Sequence, residues 1–150
     1  MDRFQEIIWD LGEEIDLSLH VDTNNSCQII IDENLSIQLE VEQKREKLLI
    51  AAYVSEVPPG RYREKVLKET LKRNSLSDCL GTFAYIEKIN MLTLFHFLPL
   101  ETINKKQLAD FLEQFIEEAS TWHSSISMGT PLPTEEMQKP TKDPNLPFIS

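Results

Sequence analysis

Cysteine and glycine are scarce in this chain, and their placement removes whole classes of chemistry. The two cysteines, Cys27 and Cys79, stand far apart and fit no CxxC or metal-ligand spacing, so they supply neither a disulfide framework nor a thiolate metal site. The four glycines (Gly12, Gly60, Gly81 and Gly129) are scattered, which leaves no Gly-rich loop to cradle a phosphate, and GxSxG is absent. His20, His96 and His123 lie in no HxH, HExxH or Cys/His pattern, so no zinc or copper site is expected. His96 sits inside an apolar strand and reads as a structural histidine. No apolar run approaches the roughly 20 residues that cross a bilayer. The opening MDRFQEIIWDLGEEID has no basic region and is expected to begin a folded cytoplasmic domain, not an export signal. In that setting Asn24-Asn25-Ser26, which matches a glycosylation acceptor, is read as chance.

What is present is charge, unevenly spread. The chain has 150 residues, enough for one core, and a net charge of −10. Residues 1–46 carry twelve acids against Arg3, Lys44 and Arg45, a net of −9. Residues 61–73 carry Arg61, Arg63, Lys65, Lys68, Lys72 and Arg73 against Glu64 and Glu69, a net of +4. A negative field of this size repels nucleic-acid phosphates and anionic lipid surfaces. The short basic segment is read as the solvated face of a helix.

Hydrophobic spacing then sets out the elements. Phe4, Ile7, Ile8, Leu11 and Ile15 form one stripe of a helix ending near Asp16, with Gly12 weakening it. Cys27–Ile31 reads as a strand, and Asp32-Glu33-Asn34 as a hairpin turn. Leu35, Ile37, Leu39 and Val41 alternate with polar residues, the signature of a half-buried antiparallel strand. After a charged turn over Gln43–Glu46, the run Lys47–Val54 is apolar on both faces and belongs near the sheet centre or against a partner. Pro58-Pro59-Gly60 stops it. A second helix is expected over about Arg61–Asn74, then a hairpin of Thr82–Ile86 and Met91–Leu98 across Glu87–Asn90. The third helix, about Lys105–Trp122, repeats Leu108, Phe111, Leu112, Phe115, Ile116 and Ala119. The stretch GTPLPTEEMQKPTKDPNLPFIS holds five prolines and little periodicity. The expected organisation is an α+β domain over residues 2–127, α-β-β-β-α-β-β-α with a twisted antiparallel sheet packed by helices, and a mobile Pro-rich tail over 128–150.

Paired carboxylates occur at Glu13/Glu14, Glu117/Glu118 and Glu135/Glu136, but adjacent residues on a helix do not face each other and make no acid/base dyad. With no nucleophile, base and metal set within reach, no enzyme is expected and no cofactor. The strands Lys47–Val54 and Met91–Leu98 offer more apolar surface than three helices easily cover; surplus of that kind usually marks a protein interface, the alternative being that both faces fill one core with loop-covered satellites.

The opening helix FQEIIWDLGEEIDLSL, the strand pair CQIIIDENLSIQLEVE, the strand and turn LLIAAYVSEVPP, and the late helix KKQLADFLEQFIEEASTW occur in this order in an acidic chain of this length. Over residues 2–123 they resemble the class I chaperones of bacterial type III secretion, the Tir-chaperone (CesT-like) family; the proline-rich extension departs from that pattern. The resemblance implies a bacterial cytoplasmic homodimer around which an extended segment of a secreted effector wraps, adding a strand at a sheet edge, with delivery to the secretion-apparatus ATPase. It places the dimer contact on the second helix and fourth strand, with Tyr62, Val66, Leu71, Phe83 and Tyr85 as candidates. It places effector patches on the first helix and the sheet, with Phe4, Ile8, Leu11, Ile29, Ile31 and Leu39 as candidates, although each of these also suits the chain's own core. The alternative is a non-catalytic adaptor that binds a folded partner.

Overall fold

A computed structural model of the chain describes residues 2–137, apart from Glu33, Gln43 and Arg45. Those three belong to the two hairpin turns expected from sequence. They and residues 138–150 of the expected tail lie outside the described residues.

Helix α1, Arg3–Ile15, begins in a capping box. The Asp2 carboxylate accepts from the Gln5 amide at 2.8 Å, and the Gln5 side chain accepts from the Asp2 amide at 3.2 Å. It ends where Asp16 turns left-handed at φ 56°. Phe4, Ile7, Ile8 and Leu11 are buried, as the stripe predicts. The Arg3 guanidinium fastens the helix start to a distant loop by donating to the carbonyls of Leu100 and Ile103.

Among the described residues five strands follow: β1 (Ser26–Asp32), β2 (Leu35–Glu42), β3 (Lys47–Glu56), β4 (Thr82–Ile86) and β5 (Met91–Pro99). They form one antiparallel sheet in the order β1-β2-β3-β5-β4. The strand apolar on both faces is therefore the middle one, as expected. Side chains alternate between faces, so each register row has a single environment. Ile29, Ile37, Ala52, Leu94 and Phe83 lie opposite one another across all five strands, and all are buried. The opposite face carries Ser36, Gln38, Ala51, Tyr53, Phe95 and Phe97, all half-buried. Phe95 and Phe97 meet there edge to face at 6.1 Å.

Helix α3, Lys105–Met128, opens in a second capping box, Asn104 with Gln107, and closes on Gly129 at φ 64°. It runs six residues past the Trp122 limit expected from spacing. Leu108, Leu112, Phe115, Ala119, Trp122 and Ile126 are buried. Phe111 stacks on His96 at 5.1 Å, Trp122 packs on Phe83 at 4.9 Å, and His123 Nδ1 donates to the Val54 carbonyl at 2.6 Å.

Helix α2, Arg61–Asn74, is tied to α3 through charge. The Arg73 guanidinium, only 8% exposed, donates to Glu118 on α3 and to Asp78 at 2.7 Å. The same Glu118 carboxylate accepts from the Trp122 indole at 3.2 Å. Burial disfavours the Arg73 charge, but Glu118 and Asp78 outweigh it and raise the pKa. Asn74 pairs with both backbone groups of Phe83, at 2.7 and 3.0 Å, which joins α2 to β4.

The stretch expected to open the tail is occupied by structure up to residue 137. Met128 ends α3, and a short helix α4, Pro133–Met137, packs against α2 and α3. Leu132 is fully buried, the Thr134 hydroxyl donates to Glu69 on α2 at 2.7 Å, and Lys65 pairs with Glu135 at 3.0 Å.

Two outcomes follow from these contacts. Arg73→Ala leaves the Glu118 carboxylate, 11% exposed, without its cation and is expected to lower unfolding free energy by about 3 kcal/mol in urea titration. Burial would raise the Glu69 pKa, yet the hydrogen bonds from Thr134 and Lys72 outweigh it and hold the carboxyl below its ordinary value. Its contribution is complete above the unfolded value of about 4.3 and is lost as pH falls through the lower folded value. Glu69→Gln is therefore expected to flatten the acid limb of stability below about pH 4, measured by denaturation at stepped pH.

Candidate polypeptide-binding surfaces

Among the described residues no group of three or more His, Cys, Asp or Glu side chains could hold a metal ion. The thiols are poor nucleophiles, because burial pushes up the pKa of both Cys27 and Cys79. Burial lowers the pKa of His96, which keeps its ring neutral against Phe111, and His123 is committed to the Val54 carbonyl. The polar groups with the most perturbed surroundings thus serve the fold. The described residues present three surfaces that carry exposed apolar side chains, two of them in acidic surroundings.

The first surface is the outer side of α1. Trp9 is 62% exposed and Leu17 is 53% exposed. They flank a groove of about 360 Å³ that also includes Gly12, Glu13, Asp16 and Leu19. The chain folds back after the left-handed Asp16, and the Leu17 amide donates to the Gly12 carbonyl at 2.9 Å. A Cβ at position 12 would lie 2.8 Å from the Leu17 carbonyl oxygen, so only glycine allows this return. The helix weakness seen at Gly12 in the sequence is what forms the groove. The Trp9 indole donates to Glu13 at 2.9 Å, the groove is lined by the exposed acids Glu13 and Asp16, and Glu6 and Glu14 are exposed on the same helix. Lys105 stands 4.0 Å from Glu13.

The second surface is the β1 edge. Among the described residues β1 pairs with β2 alone, so its other side carries backbone groups outside that ladder, and a bulge between Ile30 and Asp32 bends its end. Ile30 is 71% exposed. It borders a groove of about 750 Å³ shared with Leu35, Tyr53, Met91 and the acids Asp32 and Glu56. The start of the strand is pinned by Asp22, whose carboxylate accepts from the Asn24 and Ser26 amides at 2.8 and 3.1 Å. These bonds hold the exposed Asp22 carboxyl below its usual pKa, Ser26 contributing most.

The third surface lies along α2 and β4. Leu71 is 69% exposed, and Leu76 and Ile86 are each 38% exposed. Arg63 lies over the Tyr85 ring at 6.0 Å, and the Tyr62 hydroxyl donates to the Ser125 carbonyl at 3.3 Å. Burial raises the Tyr62 pKa.

Of the six residues assigned to effector contact from sequence, Phe4, Ile8, Leu11, Ile29 and Leu39 are buried at 5% exposure or less within the single chain, and Ile31 is half-buried. The stripe of an amphipathic helix and the inner row of a half-wet sheet are used first by the chain's own core. Of the five assigned to a dimer contact, Val66 and Phe83 are buried, Tyr62 and Tyr85 are half-buried, and Leu71 is exposed. Trp9, Leu17 and Ile30 escaped sequence reasoning because each falls outside the buried pattern of its element. That mismatch, a large apolar residue out of phase with the stripe, was the available signal.

Solved structures share this architecture. The HopA1–SchA chaperone–effector complex contains a chain 19% identical to this one, covering 81% of this chain and 94% of that one with a TM-score of 0.67. In the ExsC–ExsE complex the values are 18%, 84%, 97% and 0.63. In the Yersinia pestis type III secretion chaperone SycH with a fragment of YscM2 they are 18%, 79%, 98% and 0.62. At these identities the likeness establishes the fold. Curated protein sequences include no match to the chain. The profile of the Tir chaperone protein (CesT) family matches residues 6–123, from the first turn of α1 to the point where α3 bonds to β3, and the chain is therefore a member of that family.

Proposed function

We propose that this chain is a type III secretion chaperone that holds an extended segment of a secreted effector, keeps it soluble and passes it to the secretion apparatus. The observation that carries this reading is the family match over 6–123, which takes in all three candidate surfaces. The architecture is shared with a chain of a chaperone–effector complex and with a type III secretion chaperone solved with a fragment of a partner, which supports the same reading. The chemistry of the surfaces fits the task. An extended peptide satisfies its backbone by pairing along an open strand edge and gains affinity from apolar anchors in pockets. The β1 edge offers the former; Trp9, Leu17 and Ile30 offer the latter, with Ile31 the accessible member of the residues assigned from sequence. The acids of α1 favour a segment with basic residues near its anchors.

The working unit is a homodimer about a two-fold axis, joined through Leu71 and its neighbours on α2 and β4. No helix among the described residues is long and apolar enough to cross a membrane. The chain acts in the bacterial cytoplasm without catalysis of its own, and the energy-consuming step belongs to the apparatus ATPase to which it delivers its cargo.

Affinity purification from the native host is expected to recover a co-purifying protein that is insoluble or degraded without this chain, with its bound segment extended by hydrogen exchange; recovery of only folded, independently stable partners overturns the reading. Replacing Asp10, Glu13 and Glu14 by Lys is expected to slow association with that effector at low salt, with the difference closing as ionic strength rises. Trp9→Ala is expected to weaken the complex by about 2 kcal/mol, roughly thirtyfold, in calorimetry, while protomer stability stays within about 0.5 kcal/mol. Sedimentation is expected to show a dimer for the wild-type chain and a monomer for Leu71→Glu.

A further inference from the structure

The segment after α3 lies beyond the family match, yet it is seated on the domain. Gly129 turns the chain at φ 64°, and the Thr130 amide donates to the Ser125 carbonyl at 3.1 Å. Leu132 is then fully buried as part of the domain's hydrophobic core, and the α4 that follows it packs on both α2 and α3. The Leu132 amide donates to its own segment's Glu135 at 3.1 Å, which sets the turn into Pro133. Thr134, 2% exposed, donates to the buried Glu69 carboxylate, and Glu135 pairs with Lys65 one turn earlier on α2. These contacts form a sequence-specific pattern: an aliphatic anchor, a proline, a hydroxyl and an acid read by an apolar pocket, a buried carboxylate and a lysine.

The seat has features of a receptor site. Glu69 is a charged side chain at 6% exposure on a helix otherwise solvated by basic residues, and its Oε2 accepts from Thr134 while Oε1 accepts from Lys72 at 3.2 Å. A buried carboxylate needs such donors, and Thr134 is the one supplied from outside α2. The occupant, by contrast, is held by few bonds: one buried leucine, one hydroxyl and one ion pair whose lysine is half-exposed. A short segment fixed at one end by Gly129 and by so few contacts is the kind of element that can open locally while the rest of a domain stays folded.

We infer that the α2–α3 cleft is a second peptide-binding site, distinct from the effector surfaces, and that residues 129–137 of this chain are its resident ligand. The site takes a short acidic peptide of the pattern Leu-Pro-Thr-Glu. While seated, the segment braces α2 from the Lys65–Glu69 side. When it leaves, α2 loosens on α3, and any protein bearing the same pattern can take its place.

The test uses the full chain carrying Leu132→Asp, which unseats the segment without shortening the protein. Amide exchange in α2 is expected to accelerate at least tenfold, while amides of β2 and β3 keep their wild-type rates. A synthetic peptide with the sequence of residues 129–137 is expected to bind this variant saturably and restore α2 protection. The same peptide carrying threonine to valine at the Thr134 position is expected to bind at least tenfold more weakly, as for loss of a hydrogen bond to a charged group. The wild-type chain, whose site is filled, is expected to bind the peptide at least tenfold more weakly than the variant does. Unchanged α2 exchange in Leu132→Asp overturns the inference, as does exchange that rises equally throughout the sheet, which would make Leu132 ordinary core. Failure of the peptide to restore protection also overturns it. None of these readouts involves an effector, so this site and the chaperone reading stand or fall separately.

Discussion

Glu118 is the point at which the helices and the sheet are held in one arrangement. Its carboxylate receives Arg73 from α2 and the indole of Trp122 one turn further along α3. Trp122 in turn packs on Phe83 of β4, whose backbone is gripped by Asn74 of α2. The loop from α2 to β4, the edge strand and both helices therefore close on a single buried charge pair. Burying such a pair costs desolvation of both ions, and it survives because nearly every donor and acceptor in the cluster is used. Geometry gained this way is specific: an apolar contact tolerates sliding, whereas a guanidinium bridging two carboxylates does not.

That closure covers one face of the sheet and leaves the other half-wet. The consequence runs through the exposed surface. The inner rows use the aliphatic residues of β1, β2 and α1, so binding falls to side chains that depart from the periodic pattern. Trp9, Leu17 and Ile30 stand beside acids, where apolar area and negative charge act together on the same ligand. Apolar contact supplies affinity, and the field supplies encounter rate and preference for basic segments.

The elements were largely readable from spacing because each local period matches its environment. The alternation in Leu35–Val41 and the stripe from Phe4 to Leu11 report burial directly. The strand order was not readable: β3 lies beside β5, not β4, and that pairing depends on contacts between residues far apart in sequence. Helix α3 outran its expected end because Ser124, Ser125 and Ser127 dilute the stripe, while buried Ser125 and Ile126 continue it. The candidate site was the least readable part. Spacing identifies what is buried, and a binding surface is made from what the core leaves over. Nor does a proline-rich composition reveal that one leucine and one threonine within it find seats on α2 and α3.

The contact between His123 and Val54 has a mechanical meaning of its own. β3 slips its pairing with β5 between Tyr53 and Ser55, and Val54 is the residue left over. A carbonyl at such a bulge is outside the regular ladder, and a buried one must find a donor. His123 supplies it from α3. An irregularity in a strand thus becomes a detent for the helix above it: shifting α3 by one turn, about 5.4 Å, would strand that carbonyl and move Glu118 away from Arg73 in the same motion. Polar groups thus index the register of α3 at Glu118 and His123, with the Ser125 carbonyl held by Tyr62 beside them, and the greasy surface along the rest of the helix is free to be merely well filled.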